Sequence, residues 1–117
     1  MLGSTQEKSK YDNLNCDELN LNNYVDVKQL KDFKEKMMMI LYIVTKEGKG
    51  EWFTTNDVLC LMTDNFGEAA KKDQVNGVFR REKIWFKVED VEGKSNKRKR
   101  KLLNKGNEFV EAILERH

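Results

Sequence analysis

The sequence predicts a mostly α-helical domain with one small β-hairpin, on three observations. Apolar residues recur three to four positions apart in several stretches between positions 26 and 117, the spacing of amphipathic helices. One stretch, from Ile84 to Val91, changes to alternation and leads into Gly93-Lys94-Ser95-Asn96, a hairpin turn signal. No proline occurs, so nothing forces a break in a helix and glycine supplies most of the punctuation.

At 117 residues the chain has the length of one domain. With 38% hydrophobic and 36% charged residues it predicts a small core under a heavily ionised surface. Residues 1–25 are polar, with only Leu14, Leu19 and Leu21 spaced along most of them, and such a stretch offers little burial to offset its ordering entropy. They are expected to form a flexible arm, with residues 26–117 as the folded domain.

The first helix is expected to start at Asp26, with Gln29 completing a capping box, and to carry Val27, Leu30, Phe33, Met37, Ile40, Leu41 and Val44 on its inner face. It should stop at Glu47-Gly48-Lys49-Gly50. The Met37-Met38-Met39 run suits a core, because the flexible thioether fills irregular gaps. Thr54 or Thr55 caps the second helix, with Asp57 favourable in its first turn and Val58, Leu59, Leu61 and Met62 as its apolar stripe. A third helix, capped by Asp73 and running to about Lys83, buries Val75, Val78 and Phe79 and turns Asn76, Gly77, Arg80 and Arg81 outward. After the alternating strand and its turn, a return strand is expected at 99–103. Asn104 then caps a last helix with Phe109, Val110, Ile113 and Leu114 inside.

The net charge of +2 conceals an asymmetry. Between Lys71 and Lys101 stand 12 basic residues against five acidic, an excess of seven, and the remaining 10 basic and 15 acidic residues leave five negative charges elsewhere. A chain divided in this way has one end suited to a polyanion. The two cysteines, Cys16 and Cys60, have neither metal-ligand nor redox spacing, and Cys60 within Val58-Leu59-Cys60-Leu61-Met62 reads as a buried free thiol. The only histidine is His117, so no histidine-paired nucleophile or histidine-rich metal site can be assembled. No catalytic residues, metal, cofactor or small-molecule substrate are expected, and the protein is read as not an enzyme. The longest apolar run, Met37 to Val44, is far below the roughly 20 residues of a bilayer span. A cytoplasmic location is expected, or the nucleus in a eukaryote.

The order helix, helix, helix, strand, basic turn, strand, helix resembles the winged helix-turn-helix superfamily. Lys101-Leu102-Leu103-Asn104-Lys105-Gly106 looks like that superfamily's passage from wing strand to last helix, with Asn in place of the usual Thr. Val75-Asn76-Gly77-Val78-Phe79-Arg80-Arg81 is similar to its recognition-helix pattern. The resemblance implies a binder of double-stranded DNA, with transcriptional regulation among the roles open to it, helix 71–83 in the major groove and wing 93–101 on the phosphates.

In that arrangement Lys71, Lys72, Gln74, Asn76, Gly77, Arg80 and Arg81 on the helix, and Lys94, Lys97, Arg98, Lys99 and Arg100 on the wing, are the candidate contacts. Gly77 disfavours a helix by about 1 kcal/mol relative to alanine, which reads either as a tolerated glycine or as close approach of the backbone to a partner. The wing's basic run fits phosphate neutralisation, and also a solvated loop or a nuclear-import signal. Alternative functions are a winged-helix adaptor for another protein, or an RNA or single-strand binder stacking bases on Trp52 and Trp85. The Met-rich first helix or the last helix could join two copies as a homodimer.

Overall fold

Helix α1 (Phe33–Lys46) is built on the longest apolar run, and every residue from Met37 to Val44 is buried. The structure, a computed structural model, describes residues 9–117, and the side chains of 9–93 and 97–117. Four α-helices surround this core beside a small antiparallel sheet.

Helix α1 starts later than the sequence suggests. Asp26 caps only a single 3-10 turn, Val27–Gln29, its carboxylate accepting the Lys28 N–H at 3.0 Å. The chain then extends at Leu30 before the helix begins. The interruption sets buried Val27 and Leu30 against the core at an angle a continuous helix would not give them. The helix ends as expected. Gly48 adopts φ +75°, its N–H reaches Thr45 O at 3.1 Å, and the Lys49 N–H reaches Val44 O at 3.0 Å, a Schellman closure that needs the left-handed glycine.

Thr54 caps helix α2 (Thr55–Cys60) in a full capping box, donating to and accepting from Asp57 across 2.9 and 3.1 Å. The helix widens into one π turn, Leu61–Asn65. Helix α3 (Lys72–Arg81) begins one turn position before the expected cap: Asp73 lies inside its first turn, and Gln74 Oε1 accepts the Lys71 N–H at 2.9 Å. Its inner residues Val75, Val78 and Phe79 are buried as predicted.

Strands β1 (Phe86–Val91) and β2 (Lys94–Leu102) pair antiparallel, with Phe86 opposite Leu102, Val88 opposite Arg100 and Asp90 opposite Arg98. The turn falls at Glu92-Gly93, and Gly93 has φ +76°, so the return strand starts at Lys94 and not near 99. Three residues bulge between the Asp90–Arg98 and Val91–Lys94 pairs, which alternation on β1 alone cannot reveal. Phe53 exchanges two backbone hydrogen bonds of 2.8 Å with Arg100, adding a third antiparallel segment just before α2. Helix α4 (Asn104–Arg116) has Leu103 as its cap residue, and Asn104, expected there, is its first helical residue. A side chain on Gly106 would lie 3.0 Å from Trp85 O and 2.9 Å from Leu102, so the start of α4 rests directly on the Trp85 backbone. Val110 and Ile113 then reach the core.

The expected flexible arm is the largest correction, since from residue 9 onward the segment is packed. Tyr11 and Leu19 are buried, and the chain follows α2 from end to end. Ser9 Oγ donates to Asp57 at 2.7 Å, Cys60 Sγ donates to Asp12 at 3.1 Å, and Asn65 Nδ2 donates to Leu14 O at 2.9 Å. The Tyr11 ring stacks on Phe53 at 5.4 Å, and its hydroxyl donates to Trp52 O at 3.1 Å in the space a Gly50 side chain would need. Two 3-10 turns, Cys16–Glu18 and Leu21–Asn23, carry the chain on to α1. Composition misleads because the segment is fixed by two large apolar anchors and by polar groups matched one by one to α2, not by a broad apolar face. Residues 1–8 lie outside the described residues. Among the described residues no helix is long and apolar enough to cross a membrane.

Two predictions follow from this packing. Tyr11→Ala should lower stability by about 3 kcal/mol in urea denaturation, as for other buried aromatics, whereas a solvated arm would leave the midpoint unchanged. Buried Glu68 accepts from Lys36 at 2.7 Å and Lys28 at 3.3 Å, and the bond from Lys36 first of all holds its carboxyl below the usual carboxylate range. A depressed folded-state pKa contributes stability above the unfolded value, lost as pH falls through the folded one. Glu68→Gln should therefore be less stable than wild type at pH 7, with the gap closing below the ordinary carboxylate range.

Candidate nucleic-acid interface

Helix α3 and the hairpin meet through aromatic packing, and their charges are arranged around that contact. Phe79 of α3 meets Phe86 of β1 edge-on at 5.0 Å, and the Arg100 guanidinium of β2 lies over the Phe79 ring at 4.3 Å. Cross-strand partners share a face of the sheet, so Arg98 and Arg100 lie on the Phe86 face, turned toward α3. Arg100 is half-buried; burial and then repulsion from Arg98 lower its pKa, though a guanidinium stays charged throughout.

The opposite face of the hairpin is organised by Trp52. Lys99 lies over its ring at 4.9 Å and Lys101 at 5.9 Å, and Lys101 also pairs with Glu51 at 3.3 Å. Lys87 and Glu89 pair with each other at 3.5 Å on β1. This face is thus largely neutralised. Lys97 is half-buried, and the Lys94 side chain lies outside the described residues.

On α3 the predicted contacts divide. Lys71, Lys72, Gln74, Arg80 and Arg81 are exposed, and among the described residues none of these four cations forms an ion pair. Gln74 is partly committed to its own helix start. Asn76 is committed further: it is half-buried and its Oδ1 accepts from Thr55 Oγ1 at 2.7 Å, tying α3 to α2. Gly77, expected on the exposed face, is buried, because the Arg81 side chain folds back over it. Lys83, expected at the end of the helix but lying exposed just past it, joins this surface; the charge count includes it, although it is not among the candidate contacts.

Lysines elsewhere are distributed differently. Lys28, Lys34, Lys36 and Lys49 pair with Glu68, Glu82, Glu68 and Glu18 at 2.7–3.3 Å. Lys10 and Lys46 lie over the Tyr11 and Tyr42 rings at 5.1 and 5.4 Å. Among the described residues Lys71, Lys72, Arg80 and Arg81 of α3, Lys83 just past it and Arg98 of the adjoining hairpin face form no ion pair, and together they raise the local potential.

One other cluster contains potential metal ligands: Asp12, Cys60 and Asp64. Burial first, and then the Asp12 carboxylate, push the Cys60 thiol up to about 12, so it stays protonated and donates to Asp12. A thiol ligand must lose that proton. Compared with known proteins, the chain matches no family model, no curated protein and no solved structure.

The two arginines of β2 should separate on mutation. Arg98→Ala removes an exposed charge and should change thermal stability by less than about 0.5 kcal/mol. Arg100→Ala also removes packing on Phe79 and should cost about 1 kcal/mol. Equal effects would show that the Arg100–Phe79 contact contributes nothing.

Proposed function

We propose that this chain is a winged helix-turn-helix module that binds double-stranded DNA, with α3 in the major groove and the hairpin against the phosphate backbone. The observation that carries the reading is the concentration of cations without acidic partners, Lys71, Lys72, Arg80, Arg81 and Lys83, on α3 and its end, beside Arg98 on the hairpin face turned toward it. The element order supports it as well: three helices, a hairpin and a closing helix, with Phe53 adding a short strand ahead of α2. Thr55–Asn76 fixes α2 against α3, and the Phe79–Phe86 and Arg100–Phe79 contacts hold α3 against the hairpin, which supports reading helix and wing as one surface.

Roles divide by chemistry. Arg80, Arg81 and the free donors of Gln74 are the candidates for base edges. Lys71, Lys72 and Arg98 are the candidates for phosphate, where charge without fixed geometry suffices.

Fluorescence anisotropy with a random-sequence duplex across a salt series tests the reading. Wild type should bind with an affinity that falls steeply with salt, and the Lys72→Ala, Arg98→Ala double variant should lose about two from the slope, one per phosphate contact. No duplex binding at low salt would overturn the proposal. Binding confined to single strands, with quenching of tryptophan, would replace it with a stacking mode on Trp52 and the lysines over its ring.

A further inference from the structure

We infer that Gly77 is a positioning residue that seats the Arg81 guanidinium on the outward face of α3 for a two-pronged contact to a guanine in duplex DNA. The inference rests on the DNA-binding reading above and assigns one of its base contacts.

It begins from a glycine the fold does not require. Gly77 has an ordinary helical φ, and the interior of a ten-residue helix favours any side chain over none. Other glycines in the chain have a reason in the packing. A Cβ on Gly106 would lie 3.0 Å from the Trp85 carbonyl oxygen, and the space beside Gly50 is filled by Tyr11. At Gly77 the three atoms nearest to a Cβ would all belong to Arg81: Nη1 at 3.2 Å and Cζ and Nη2 at 3.8 Å.

Gly77 also lies on the outward stripe, between exposed Asp73 and Gln74 one turn before and exposed Arg80 and Arg81 one turn after. Helical side chains lean toward the N-terminus, so residue 81 naturally covers residue 77. With no Cβ beneath it, the guanidinium settles against the helix backbone, and this is why Gly77 is buried. Among the described residues Arg81 has no ion pair, so its N–H donors are uncommitted.

Such a placement suits a base edge better than a phosphate. A phosphate on the exposed backbone can be reached from many directions, by a guanidinium or by a lysine acting as a point charge, so a fixed seat is of less use there than at a base edge. A planar fork held at mid-face of the helix lies on the line where the helix comes closest to the groove floor. There guanine presents O6 and N7, the acceptor pair that a guanidinium matches. A methyl at position 77 would push the guanidinium outward by a few tenths of an ångström and unseat it, Arg81 being its nearest neighbour.

The test starts from the duplex that wild type selects out of a random pool, together with the same duplex changed at each base pair in turn. Anisotropy is measured at fixed salt for wild type, Gly77→Ala and Arg81→Lys. Wild type should lose about tenfold in affinity when one particular G·C pair is replaced, the usual discrimination of a two-pronged contact. Both variants should lose most of that preference, Gly77→Ala while binding random duplex within about threefold of wild type. Gly77→Ala should melt no lower than wild type, and Arg81→Lys supplies the same readout at an exposed position. A Gly77→Ala variant that keeps the wild-type preference at every pair overturns the inference alone. So does an Arg81→Lys variant that weakens all duplexes equally, the behaviour of a phosphate contact. Failure of wild type to bind any duplex overturns the DNA-binding reading and this inference with it.

Discussion

Eight consecutive residues of α1, Met37 to Val44, are buried on every side of the helix, and a helix buried all round has to be covered all round. Much of the remaining chain serves that constraint. Helix α4 brings Val110 and Ile113, α3 brings Val75 and Val78, and α2 with its π turn brings Val58, Leu61 and Met62 into the same core. The 3-10 turn before α1 adds Val27 and Leu30, and the N-terminal segment adds Leu19 and Tyr11. Three consecutive methionines suit the centre of such an arrangement, since their unbranched side chains adapt to neighbours arriving from several directions.

The same constraint explains what could be read in the sequence and what could not. The end of α1, the Thr54 cap, the inner faces of α3 and α4 and the existence of the hairpin follow from local spacing and capping chemistry, which belong to a single segment. The packed N-terminal segment depends on partners far along the chain. Nothing in Ser9 or Asp12 by itself announces Asp57 or Cys60. The hairpin register was hidden for a related reason, because a bulge is a property of two strands and the alternation of β1 describes only one. At the candidate interface the residue types were legible but not their commitments. Asn76 looks like a base-reading residue until Thr55 is seen to hold it, and Gly77 looks exposed until Arg81 is seen to lie on it.

Charge on this protein is sorted by the company it keeps. Lys28, Lys34, Lys36 and Lys49, around α1, meet glutamates, and two of them share the buried Glu68 carboxylate. On the Trp52 face of the hairpin the lysines cover an aromatic ring or meet an acid. On α3 and the hairpin face beside it Lys71, Lys72, Arg80, Arg81 and Arg98 form no ion pair among the described residues, and these cations outnumber the two acids beside them, Asp73 and Asp90. A surface kept in this condition repels itself, and mutual repulsion is relieved when a polyanion arrives. Arg100 shows the arrangement in one residue: its stem and guanidinium pack on Phe79, and its pKa is lowered by burial and by Arg98.

The course of the N-terminal segment along α2 also bears on how the chain comes to be made. Its anchors join residues 41 to 51 positions apart, Tyr11 to Trp52 and Leu14 to Asn65 among them. A ribosome adds about 5–20 residues each second, so Tyr11 emerges some seconds before anything exists for it to pack against. A segment translated ahead of α2 is therefore secured only after it, and the core around α1 stays open along one side until α2 has been translated.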